Sequence, residues 1–177
     1  EVVMVAVSQN GYALEHASDK LKGDKEVALA AFTNGLTLDY APTELQGVKE
    51  VVMAAVTQNG YALEFASKEL KEVKEVVMAA VAQVGRSLQF ASEDLRGDKE
   101  VVLVAVTQDG GALSWASDEW KRDKEVVMAA VAHNGKALEF ASNELKRDKK
   151  IVAAAFAKGL SLEHTSDELQ GVKEVVM

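Results

Sequence analysis

The sequence predicts an all-α chain, an α-solenoid of seven ~25-residue two-helix repeats followed by a partial eighth. Three observations carry that expectation. The chain repeats itself at a nearly fixed interval, each interval opens on a capped apolar helical segment, and each continues with a second, shorter apolar stripe.

Units open at Glu1, Glu26, Glu50, Glu75, Glu100, Glu125, Lys150 and Glu174, at spacings of 25, 24, 25, 25, 25, 25 and 24 residues. The two short units each lack one residue before the glycine, in "AAFTNGL" and "AAFAKGL", and both end in "ELQGVK". A period of 124 residues, five units, therefore overlies the short one, as duplication of a five-unit block would leave it. Residues 1–177 read as a single helical-repeat array. The first residue already lies inside a helix and the last ones stop halfway through another, so the expectation is a segment of a longer protein whose end faces need neighbours.

Within a unit, "DKEVVMAAVAHNG" (residues 123–135) carries helix punctuation. Asp123 is a good N-cap, Glu125 sits in the first turn, and Gly135 suits a left-handed position just past the end. A glycine stands there in all seven full units. The body is apolar all round and should be buried between neighbours. Val48, Val73 and Val172 replace the capping Asp, which leaves their helices uncapped. The second half, "KALEFASNELKRD", predicts a shorter helix with Leu138, Ala141 and Leu145 facing inward. The only proline, Pro42, pushes Ala41 out of the α region, so a helix should end near Ala41 and a separate turn should run through "TELQ". One unit cannot bury its apolar face alone; each copy supplies the next one's core.

Composition narrows the function classes. With no cysteine there is neither a disulfide frame nor a thiolate site, which argues against a disulfide-stabilised secreted protein and for a soluble intracellular or organellar one. The longest apolar run, residues 151–157, is too short for a transmembrane segment. A formal net charge of −8 argues against nucleic acid as a partner.

Two units, "DKEVVLVAVTQDGGALSWASDEW" (residues 98–120) and "DKEVVMAAVAHNGKALEFASNEL" (residues 123–145), carry a resemblance to a known repeat. The pattern resembles the family catalogued as domain of unknown function 4116, whose tandem units read approximately DKEVVLAAVxQNGxALxxASxxLxxD. The resemblance covers the whole chain. It implies an all-helical array with no agreed activity and no catalytic residues to carry over. It also implies a setting in algae and other microbial eukaryotes, with some members in bacteria, and with it an organelle-associated or otherwise elaborate assembly.

Candidate chemistry recurs too evenly to mark an active site. The aromatic column His16, Tyr40, Phe65, Phe90, Trp115, Phe140 and His164 reads as core, a large ring beside small alanine in each layer. His16 and His164 stand six units apart with His133 at a helix end, which is no geometry for a metal. The lysine column Lys25, Lys49, Lys74, Lys99, Lys124, Lys149 and Lys173 is followed at each position but Lys149 by glutamate, and reads as a locally neutralised solvated face. Carboxylates such as Glu139 and Glu144, with Asn143 between them, have counterparts in most units, whereas a catalytic site is one asymmetric constellation. No catalytic, cofactor or metal residue is therefore assigned, and the expectation is a protein that is not an enzyme and needs no cofactor.

The columns that vary are expected to face outward. One follows the glycine (Tyr12, Leu36, Tyr61, Arg86, Gly111, Lys136, Leu160) and the other is Asp19, Thr43, Lys68, Glu93, Asp118, Asn143 and Asp167. The fifth unit holds both tryptophans, with Gly111 there to make room for a large ring. Tyr12, Tyr61, Arg86, Lys136 and Trp120 are the candidate partner contacts. The function expected is a non-catalytic helical-repeat scaffold or structural subunit that mediates protein–protein contacts within a larger assembly. The runner-up is a peripheral subunit of an organellar membrane complex, photosynthetic complexes among them, touching partners or pigments; a third is a small-ligand-binding module.

Overall fold

A computed structural model describes residues 1–160. His164, Asp167, Val172, Lys173 and the partial eighth unit lie outside the described residues. Each of the first six units is built from a main α-helix, a 3-10 helix and a short connecting turn, and the main helix of the seventh is Lys149–Ala157. In the third unit these are Lys49–Gln58, Gly60–Phe65 and Leu70–Glu72; in the fourth they are Lys74–Gln83, Gly85–Phe90 and Glu93–Arg96. Main helices stack on main helices and 3-10 helices on 3-10 helices, which gives a two-layer helical-repeat rod with its core between the layers. Among the described residues there is no strand, and no helix is long and apolar enough to cross a membrane.

The caps follow the sequence. Asp24, Asp98, Asp123 and Asp148 each accept hydrogen bonds from main-chain N–H groups in the first turn of their helices, while the helices after Val48 and Val73 have no side-chain cap. Ala41 is extended and the helical turn Thr43–Gln46 follows Pro42. Four valine or alanine positions are buried in each main helix of units three to six, such as Val51, Val52, Ala55 and Val56, whereas Met53 and Ala54 are only half-buried. Units are also tied through the main chain: the N–H groups of Ser67, Ser92, Ser117 and Ser142 donate to the carbonyls of Gln46, Lys71, Arg96 and Lys121 at 2.8–3.0 Å.

The second element differs from the expected α-helix in being 3-10. Its buried positions explain why. Gly60, Leu63 and Ala66 recur every third residue, and three residues per turn put them on one face. The same triplet recurs as 85, 88, 91 and as 110, 113, 116.

The repeated glycine also plays a different part from the one expected. Only Gly35 and Gly159, in the two short units, have positive φ, at 92° and 85°. There the Leu36 N–H donates to the Ala31 carbonyl and the Gly35 N–H to Phe32, closing the helix with a left-handed glycine. In the other units the glycine opens the 3-10 helix against the next unit's main chain. A Cβ on Gly11, Gly60, Gly85, Gly110 or Gly135 would lie 2.1–2.3 Å from the carbonyl oxygen of Ala31, Ala80, Ala105, Ala130 or Ala155. The absence of a side chain, not a left-handed backbone, is what these units require.

The lysine column is neutralised across units rather than beside itself. Lys25 pairs with Glu50, Lys49 with Glu75, Lys74 with Asp98 and Glu100, Lys99 with Asp123 and Glu125, and Lys124 with Asp148. The partner acid sits one unit on, because stacking brings each helix N-terminus beside the next.

Candidate partner-binding face

The 3-10 layer presents the candidate site. In Gly60–Phe65 the inward residues are 60, 62 and 63, so residues 61 and 65 point to solvent. The aromatic column occupies that last position, and it is surface rather than the expected core. Tyr40, Phe65, Trp115 and Phe140 are 38–50% exposed and Phe90 is half-buried. In a three-residue turn the ring falls out of phase with the buried Gly–Leu–Ala triplet, and the leucine fills the core instead.

The first variable column meets this aromatic column from the preceding unit. Tyr12 packs edge-on against Tyr40 at 5.8 Å between centroids, and Tyr61 against Phe90 at 6.5 Å. Arg86 donates from Nε to Asp109 Oδ2 at 2.7 Å, and Lys136 is exposed. Gly111 makes room for Arg86 and not for a tryptophan ring, since an added Cβ would lie 2.8 Å from a guanidinium nitrogen of Arg86. Leu36 and Leu160 depart from the outward expectation and are buried, because the residue missing before the glycine moves them into the helix-closing position. The second variable column is exposed at Asp19, Thr43, Lys68, Glu93, Asp118 and Asn143.

Trp120 sits apart from this face. Its indole Nε1 donates to the Gly97 carbonyl at 2.7 Å, the Lys99 ammonium lies 5.7 Å from its ring centroid, and the side chain packs against the core. It ties units together. His133 Nδ1 accepts from the Gly110 N–H at 3.2 Å, while His16 is exposed near the other end. Among the described residues no three His, Asp or Glu side chains gather as a metal site would require.

Charge is distributed unevenly between the layers. The lysine ladder consumes its acids on the main-helix side and holds Asp98, Asp123 and Asp148 below the usual carboxylate range. For Asp98 and Asp148 the chief cause is the hydrogen bond from the lysine; for Asp123 it is the Val126 N–H. Burial pushes Asp109 up, but the Gly111 N–H and Arg86 outweigh it and hold it low. On the 3-10 side Glu15, Asp39, Glu64 and Glu139 directly precede members of the aromatic column. There the Glu15 carboxylate, followed by burial and Asp39, raises the Tyr40 phenol.

One feature of this face is not singled out by sequence reasoning. Loss of one residue before Gly35 shortens the second unit's 3-10 helix to Leu38–Tyr40, from the six residues of its neighbours. A cavity of about 230 Å³ stands at the junction with the third unit, with Leu36, Leu38, Asp39, Tyr61, Glu64 and Phe65 among its walls. The signal that locates it is the break in an otherwise regular spacing.

A family model described as domain of unknown function (DUF4116) matches residues 1–46, 32–71, 73–121 and 123–170. No curated protein and no solved structure matches the chain.

Proposed function

The chain belongs to the DUF4116 family, and from that premise we propose that it is a non-catalytic helical-repeat scaffold that mediates protein–protein contacts. One observation carries the reading. The buried residues of each unit are spent on its neighbours, while the 3-10 layer holds partly exposed aromatic side chains at its surface in each of the first six units. Rings half in water are the side chains that interfaces favour, and a row of them at unit spacing suits an extended contact. Titratable groups recur in register from unit to unit, which is the signature of a ladder and not of an asymmetric catalytic centre.

Site-specific photo-cross-linking in native extract tests this. A photoreactive residue at Tyr12 or Lys136, on the 3-10 layer, is expected to yield discrete cross-linked proteins; one at Thr57, on the main-helix layer, is not. Equal yields from all three positions, or none from the first two, would refute the scaffold reading.

A further inference from the structure

The cavity at the junction of the second and third units has a composition that selects its occupant. Its floor is apolar: Leu36 and Leu38 are 3% and 1% exposed. Two rings, Tyr61 and Phe65, and two exposed carboxylates, Asp39 and Glu64, stand in the wall beside the uncharged Thr37, Gln58 and Asn59, and no cationic side chain lines it. Lys71, the nearby cation, donates from Nζ to the Glu64 main-chain carbonyl at 2.7 Å and forms no ion pair with the Glu64 or Asp39 carboxylate. Neither carboxylate makes an ion pair among the described residues. An apolar trough ending in carboxylates and ring faces complements a long side chain with an aliphatic stem and a positive head.

We infer that this groove holds a lysine or arginine side chain carried on an extended segment of a partner protein. The inference rests on the scaffold reading and names the chemistry of one contact within it. Charge complementarity decides the sign of the ligand, since the chain carries a net charge of −8 and the groove holds two carboxylates that make no ion pair among the described residues. The volume of about 230 Å³ admits one side chain and not a folded element. A second groove of about 270 Å³, bounded by Leu14, Glu15, Lys22, Leu36 and Tyr40, lies one unit away at the junction of the first and second units. Stacked helices are ~8–10 Å apart, which is about three residues of extended chain. A segment crossing both grooves therefore presents side chains at every third position. Polyproline II geometry, with three residues per turn, keeps such side chains on one edge.

The test is fluorescence anisotropy with a labelled Arg-Pro-Pro repeat peptide, with Glu-Pro-Pro and Ala-Pro-Pro repeats as controls, at physiological salt. The intact chain is expected to bind the arginine repeat and neither control. The double variant D39N/E64Q, whose substitutions are exposed and whose helicity is checked by circular dichroism, is expected to bind about tenfold more weakly. A matched variant, E119Q/E144Q, removes the same charge elsewhere and is expected to stay within about twofold. In the intact chain the ring protons of Tyr61 and Phe65 are expected to shift on titration. Equal affinity for the intact chain and D39N/E64Q, equal losses in both double variants, or unmoved ring protons would each overturn the assignment. Absence of arginine-repeat binding with cross-links from Tyr12 and Lys136 intact would overturn the groove and leave the scaffold reading standing.

Discussion

Replacing Gly60 by alanine tests the close approach that joins one unit to the next. The added Cβ would lie 2.2 Å from the Ala80 carbonyl oxygen, 3.1 Å from its carbon and 3.0 Å from Ser87 Oγ. Real Cβ atoms essentially never come closer than 3.0 Å, so units three and four must separate by roughly 0.8 Å at this point. The obstacle is main chain and cannot rotate away. A gap of that size forfeits about a quarter to a half of the dispersion attraction of each atom pair across it. Val51, Val52, Val76 and Val77, all fully buried, belong to the two helices being parted. The expected cost is about 3 kcal/mol, at the upper end for an overpacked core. Gly35→Ala serves as the comparison, since its added Cβ meets nothing within 4 Å and only the φ of 92° resists it, a cost of about 1–2 kcal/mol. Tyr61→Ser, on the exposed face, should cost less than either. With urea m-values of ~1–3 kcal/mol/M, the Gly60 variant's midpoint should fall by about 1–3 M. Circular dichroism during urea unfolding orders the three variants. A Gly60→Ala midpoint equal to that of Gly35→Ala or Tyr61→Ser would refute the close-approach account.

Three further outcomes follow from the same geometry. Trp120→Phe removes the indole donor to Gly97 and should cost about 1 kcal/mol, read as a lower urea midpoint; an unchanged midpoint would mean the hydrogen bond contributes nothing. Val73→Asp supplies the cap that the fourth unit lacks and should stabilise by about 0.5–1 kcal/mol, because Asp98 fills the same role one unit on; part of the gain offsets the apolar burial that Val73, packed against the core, gives up. A thermal midpoint that does not rise would count against the capping argument. Asp98, Asp123 and Asp148 have carboxyls depressed in the folded chain, so their contribution is complete above the unfolded value near pH ~4 and is lost as pH falls through the lower folded values. The acid limb of a thermal-melt profile should therefore flatten in D98N/D123N/D148N, and a limb of undiminished slope would contradict the ladder.

Some of this protein was legible along the chain because it depends on nearest neighbours in sequence. Asp24, Asp98, Asp123 and Asp148 cap their helices, Val48 and Val73 fail to, and Pro42 separates two elements, since each acts on main-chain groups within a few residues. The repeat itself announced the stacking, because no single unit buries its own apolar face. The wording of the units carried the resemblance to the family whose model matches the chain.

Tertiary structure decided what depends on the neighbouring unit. Whether Phe65 lies in the core or in water turns on the second element having three residues per turn and not 3.6, and stacking against the next 3-10 helix selects that geometry. Gly60 answers to a carbonyl twenty residues away in sequence, so its own dipeptide "NG" misleads about its role. Lys74 finds its acids on the following helix, where register and not adjacency sets the distance. The groove beside Asp39 and Glu64 stands where the second unit's 3-10 helix is shortest, and its walls come together only once the second and third units are stacked.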